Sequence, residues 1–366
     1  MKNRNTLNSN QIYRFLFFLL PILYFILYGF YGFCDTDQGF IPALSYRMAI
    51  GEMPVRDFIY VRPPLSPLIH TLEQILLPES LEILGSRLLF YVFIWLSILF
   101  GLLSLKRFLK LEEMGVSPWL IGGLAFVLAV HNYPPMPWHT LDGILLAAMG
   151  VYVASRGPQW FNTIFGLSLM GLSALAKQPF GVVPLGGVAL LFLLYPWKRA
   201  LLGTVGALVV ACSILLALEM SDPETDFVQG LIAQATGATS LNDLRYGAYQ
   251  LYVRPVVAMF GLVWLVWAIL HYGLKYSRAK EAIVAMIWLG FLAMFAIHVY
   301  SGLKTHSFVP PRMGFYHTLL FSGGWMAFMQ FMRKRDRKAM AILLLLCLIN
   351  WASGISWGFS IPVLFA

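Results

Sequence analysis

An all-α polytopic membrane protein of about eleven transmembrane helices is the fold class this sequence predicts, and three observations predict it. First, 59% of the 366 residues are hydrophobic and 12% are charged, and mean hydropathy is +0.72. A soluble domain carries about twice that share of charge. Second, the apolar residues fall into repeated runs, many of them near the ~17–25 residues that cross a bilayer. Third, the basic residues cluster in alternate connections between those runs, as the positive-inside rule requires.

The runs lie at 12–33, 83–105, 117–131, 139–155, 160–176, 180–195, 199–218, 251–273, 281–300, 315–332 and 338–356. The first is too long for a signal-peptide core and has no small-residue cleavage site, so it reads as a retained span. The runs at 117–131 and 139–155 are short and suit segments that dip or tilt. With the N-terminus in the cytoplasm, 17 of the 26 basic residues fall on the inner side, in groups such as Lys106, Arg107, Lys110 and Arg333, Lys334, Arg335, Arg337, Lys338. The nine on the outer side are single. Acids run the other way: only Glu112, Glu113, Glu281 and Asp336 fall inside, and the other 13 of 17 lie at the outer face. Acids do little to set topology, so this asymmetry points to an outward-facing site that handles charge.

The chain reads as one membrane domain, residues 1–366, without a soluble domain. Its long outer loops are 34–82 and 219–250. In the first, Phe40, Ile41, Leu44 and Met48 recur at helical spacing, as do Leu68, Leu72, Ile75 and Leu76, which predicts two amphipathic helices lying along the interface. The "RPPLSP" between them predicts a rigid extended turn. Cys34, Cys212 and Cys347 are isolated and form neither metal-ligand spacing nor a disulfide framework. The net charge of +9 sits in loop clusters rather than a groove, so nucleic acid is excluded as a partner and membrane lipids are expected.

"FCDTDQGF" at 33–40 places two acids where the first span ends. Asp35 and Gln38 fit a capping box, which leaves Asp37 in the first turn of the helix, where the dipole favours an ionised carboxylate and a general base is available. The run "DTDQGFIPALSYRMAIGEMPVRDFIYVRPPLSPL" resembles the first outer loop of the GT-C glycosyltransferases, closest to their dolichyl-phosphate-mannose protein mannosyltransferase-like branch. Asp37-Gln38-Gly39 matches that branch's Asp-Glu pair and glycine, "GEMPVRDF" its central stretch, and Pro63-Pro64 its end. Two positions depart from the pattern: Gln38 stands where the family often has Glu, and Val55 where it has Tyr.

The resemblance implies an inverting transferase that takes sugar from a polyprenyl-phosphate donor to a lipid, glycan or protein acceptor at the outer face of a bacterial inner membrane. Asp37 carries over as the catalytic aspartate, with Asp35 second. No cofactor is assigned, and a divalent cation is left room for, without a ligand set. In the second outer loop, "HNYPPMPWHTLDG" (131–143), Asp142 reads either as a second acid that orients the acceptor or holds a metal, or as a helix-start acid bonded to Thr140 or His139. His131 and His139 lack zinc-ligand partners; His139 joins Gln38, Gln178 and Tyr316 as candidate substrate contacts. Lys177-Gln178 matches the family's Lys-Gln at the outer end of a span, where a compact cation suits a phosphate, although a snorkelling interface lysine would look the same. Arg312, His317, Arg254 and Arg62 complete the candidate phosphate site. Two other readings stay open: a lipid-linked glycan transporter or flippase, and an O-antigen polymerase or ligase using a diphosphate donor.

Overall fold

The computed structural model describes residues 9–32, 37–54, 56–58, 60, 62–109, 111, 117–130, 133–221, 226–236 and 336–355. These residues form α-helices with short 3-10 turns and no β-strand; an isolated bridge joins Pro54 to Phe58. In chain order the helices are α1 (Ser9–Tyr28), α2 (Phe40–Ala49), α3 (Leu65–Leu76), α4 (Glu82–Phe108), α5 (Pro118–Val130), α6 (His139–Ala154), α7 (Trp160–Ala176), α8 (Val182–Leu194), α9 (Trp197–Ser221), α10 (Phe227–Thr236) and α11 (Arg337–Ile355). The runs at 251–273, 281–300 and 315–332 lie outside the described residues.

Among the described residues, three helical segments are long and apolar enough to cross a membrane: Ser9–Tyr28, Glu79–Phe108 and Trp197–Ala217. The apolar helices Pro118–Val130, His139–Ala154, Trp160–Ala176 and Gln178–Leu194 are shorter. At 1.5 Å per residue, 13 residues span about 20 Å, against a hydrocarbon core of about 30 Å.

Among the described residues, α6 is the central helix. Ile144, Ala147, Ala148, Val151 and Ala154 are all at most 1% exposed, and the helix packs on α4, α7 and α11. Its closest neighbour is α7, because Gly150 and Gly166 meet at the crossing. A Cβ built on Gly150 would lie 2.6 Å from the Gly166 carbonyl, and one on Gly166 would lie 2.6 Å from the Ala154 nitrogen. Small residues at such a seam let two backbones approach. At the other flank, α1 packs on α4 and α5, where Phe17 is fully buried beside Trp95 and Trp119.

The two helices of the first outer loop form a hairpin. Ser45 Oγ donates to the Pro67 carbonyl at 2.9 Å, and Thr71 Oγ1 donates to the Ser45 carbonyl at 3.4 Å. α2 ends where Gly51 takes φ +94, a left-handed value glycine adopts without strain. The turn that follows is held by its own charges. Arg47 pairs with Glu52, donates to the Asp57 carbonyl at 3.1 Å, and lies over the Phe58 ring at 4.3 Å. Asp57 accepts the Met53 N–H at 2.7 Å and Arg56 at 2.6 Å. The "RDF" of the quoted stretch is thus a turn clamp.

α3 is amphipathic in the inverse sense to a helix of a water-soluble protein. Leu68, Leu72, Ile75 and Leu76 are 51–75% exposed, while Ser66, His70 and Glu73 are at most 5% exposed. Its outward face is a contiguous apolar stripe, the kind of surface that marks a membrane or a partner.

Candidate functional site

Proline decides where the site's backbone turns. α3 opens on Pro64, a position that tolerates a missing N–H, so Arg62 sits in the bend that leads into the helix. Pro134, Pro135 and Pro137 keep the second outer loop non-helical up to Trp138, whose extended backbone (φ −152, ψ 124) caps α6. α7 stops at Ala176, with Lys177 extended (φ −158, ψ 135) and Pro179 two residues on. Phe180 anchors that turn: it is fully buried, and a Cβ on Gly143 of α6 would lie 2.7 Å from its ring.

These three turns meet at one end of the bundle. An Arg62 nitrogen donates to His139 Nε2. A guanidinium has no lone pair to offer, so the His139 nitrogen facing it must be the unprotonated one. His139 is fully buried and stacked on Trp138, with ring centroids 4.4 Å apart. Lys177, 7% exposed, donates from Nζ to Thr140 Oγ1 at 3.0 Å. The Arg62 and Lys177 cations lie 5.8 and 5.9 Å from the Trp138 ring centroid, within cation–π range.

Two basic side chains thus share one indole at a largely buried site. Burial, and then the Arg62 charge, hold the Lys177 ammonium well below the usual lysine range. Burial also lowers the Arg62 pKa, opposed by the charges of Tyr60 and Asp37. Asp37 therefore lies within electrostatic reach of Arg62. It sits in the turn before α2, half-buried, its carbonyl accepting the Phe40 N–H at 3.1 Å. Gln178, beside Lys177, is half-buried at the start of the 3-10 turn Gln178–Gly181.

The N-cap of α2 is Gly39 rather than Asp35, and it makes no side-chain cap bond. Gln38 is buried, and its Oε1 accepts from Arg87 at 3.2 Å. Arg87 in turn binds the carbonyls of Gly29 at 2.7 Å, Tyr31 at 3.3 Å and Gly32, so Gln38 ties the catalytic-loop candidate to the end of α1. Asp142 bonds neither Thr140 nor His139. Its Oδ2 accepts from Ser66, and its Oδ1 faces His70 Nε2 at 3.3 Å. Lys177 does not snorkel: it points inward to Thr140.

Asp35, Arg254, Arg312, Tyr316, His317 and His131 lie outside the described residues. Among the described residues, no group of three or more His, Cys, Asp and Glu side chains is placed to hold a metal ion.

Sequence reasoning missed Ser66, His70, Glu73 and Ser86. His70 Nδ1 meets Glu73 Oε1, and Ser86 Oγ donates to Glu73 Oε2 at 2.6 Å. The signal was present: Ser66, His70 and Glu73 recur at i, i+4, i+7, one helical stripe opposite the leucines. Compared with known proteins, the chain matches no family model, no curated protein and no solved structure.

Proposed function

We propose that the chain is a polytopic inner-membrane glycosyltransferase of about eleven spans, with a cytoplasmic N-terminus and an outward-facing site that moves a sugar from a polyprenyl phosphate to a lipid, glycan or protein acceptor. One observation carries this reading: Arg62, His139 and Lys177, distant in sequence, converge at one end of the helical bundle, with the two basic side chains around Trp138 and the Asp37 carboxylate within electrostatic reach of Arg62. The likeness of the loop around Asp37 to a glycosyltransferase loop supplies the reaction class.

In this mechanism Asp37 accepts the proton of an acceptor hydroxyl, whose oxygen attacks the anomeric carbon from the face opposite the phosphate. The bond from carbon to phosphate oxygen breaks, and its electron pair leaves with the phosphate. Lys177 and Arg62 hold the charge that develops there, the electrostatic contribution that a desolvated site makes largest. Arg312, His317 and Arg254 are the further donors this reading assigns to the phosphate. Single displacement inverts the anomeric configuration.

Asp37→Asn removes the base and keeps the shape. Transfer by the purified protein falls about 10²-fold or more, the usual contribution of a general base. Wild-type rates at wild-type protein levels would overturn the assignment.

A further inference from the structure

The Ser66–His70–Glu73 stripe is a buried ionic array in a part of the molecule that the transfer mechanism does not use. His70 is 2% exposed, Glu73 5% and Asp142 1%. Both ring nitrogens of His70 face carboxylate oxygens: Nδ1 the Glu73 carboxylate, and Nε2 Asp142 Oδ1 at 3.3 Å. A neutral imidazole has one N–H, and its other nitrogen would then set a lone pair against a carboxylate; only the imidazolium satisfies both. Each carboxylate also takes a serine hydroxyl, Ser66 on Asp142 and Ser86 on Glu73. The array therefore links α3 to α6 through Asp142 and to α4 through Ser86.

Its register matters for the site. Arg62, Ser66 and His70 are spaced four apart, and they meet His139 and Asp142, three apart on α6. The bond from Arg62 to His139 is the outermost rung of a ladder whose inner rungs are Ser66 to Asp142 and His70 to Asp142. Pro63 and Pro64 stiffen the step from Arg62 into α3.

We propose that His70 is a positioning residue, a cationic strut clamped between Glu73 and Asp142 that fixes α3 against α4 and α6 and thereby holds Arg62 in the phosphate site. Asp142 is then part of the strut, with both oxygens already engaged, rather than a second base or a metal ligand. The role of Arg62 rests on the transferase reading; the charge on His70 does not.

The groups around His70 agree with a retained proton. α7 has no titratable residue. α2 offers Tyr46, which is exposed, and Arg47, which is turned to Glu52 and Asp57. α4 presents Ser86 and the Phe93 ring, at 5.8 Å, while its Arg87 is turned to the end of α1. α6 presents Asp142. Burial disfavours the imidazolium, but Asp142 and Glu73 outweigh it and raise the His70 pKa from 6.5 to about 10. With the folded value above the unfolded one, the stabilisation is full below about pH 6.5 and is lost as pH rises towards 10.

The experiment uses the purified full chain in detergent. Thermal unfolding from pH 6.5 to 10.5 compares wild type, His70→Gln and Glu73→Gln. His70→Gln leaves the two carboxylates uncompensated and lowers the melting temperature at pH 7 by about 5 °C or more, and its alkaline decline is shallower than wild type. In Glu73→Gln, which also carries the test should His70→Gln not accumulate, the decline begins at the same pH, set by the unfolded chain, and levels off about one pH unit lower. Parallel curves for wild type and variant would overturn the charged strut. Catalysis supplies the second arm: kcat/KM of Arg62→Gln/His70→Gln matches that of Arg62→Gln within about twofold, whereas independent effects multiply and would overturn positioning through Arg62. If wild type transfers no sugar while the melting curves behave as stated, the transferase reading fails and the strut stands.

Discussion

Replacing Gly150 with alanine tests the seam that sets the site's depth. The added Cβ would lie 2.6 Å from the Gly166 carbonyl oxygen, 2.7 Å from Met170 Cγ and 2.9 Å from the Met170 nitrogen. Two of the three are backbone atoms, so no side-chain rotation relieves the clash. α7 must move off α6 by several tenths of an ångström or more, and an overpacked interior costs about 1–3 kcal/mol. With backbone involved the upper figure applies, and the better helix propensity of alanine returns about 1 kcal/mol, leaving a loss of about 2 kcal/mol. At roughly 2–4 °C per kcal/mol the melting temperature falls about 4–8 °C. Gly171→Ala is the control on the same helix pair, because a Cβ there meets nothing within 4 Å; it melts at or above wild type. The assay is thermal unfolding in detergent followed by tryptophan fluorescence. Equal melting of the two variants would refute the close approach of α6 and α7.

Two further outcomes follow from the buried cations. The Lys177 pKa is held well below the lysine range, and a bound phosphate favours the charged form. Binding of a polyprenyl phosphate therefore takes up a proton above that depressed value, and Kd rises by up to about tenfold per pH unit; calorimetry in two buffers of different ionisation enthalpy measures the uptake, Lys177→Met abolishes it, and pH-independent binding by wild type would contradict it. Gln38→Glu converts the 3.2 Å contact with Arg87 into a charge-assisted bond, and stability rises by about 1 kcal/mol; a lower melting temperature would show that burying the added carboxylate dominates.

Periodicity and composition located the helices well because each reports on local sequence. The runs at 83–105, 139–155 and 160–176 became helices at 82–108, 139–154 and 160–176, and the leucine spacing of the first loop gave α2 and α3. Which way α3 faces was not local information. Its apolar stripe was legible, but the decision to turn Ser66, His70 and Glu73 inward belongs to Asp142 and Ser86, 13 to 76 residues away in sequence. The start of α2 was not local information either: its N-cap is Gly39 rather than Asp35, and Arg87 engages Gln38 from another helix. Asp142 and Lys177 were legible as polar groups at span ends, and their partners were not.

The transferase reading is tested most directly by what purified wild-type protein does to a polyprenyl-phosphate sugar supplied with membrane-extracted acceptor. Mass spectrometry is expected to find the donor consumed, free polyprenyl monophosphate released and one sugar residue added to the acceptor with inverted anomeric configuration. An untouched monophosphate donor, or turnover of a diphosphate-linked glycan in its place, would contradict it.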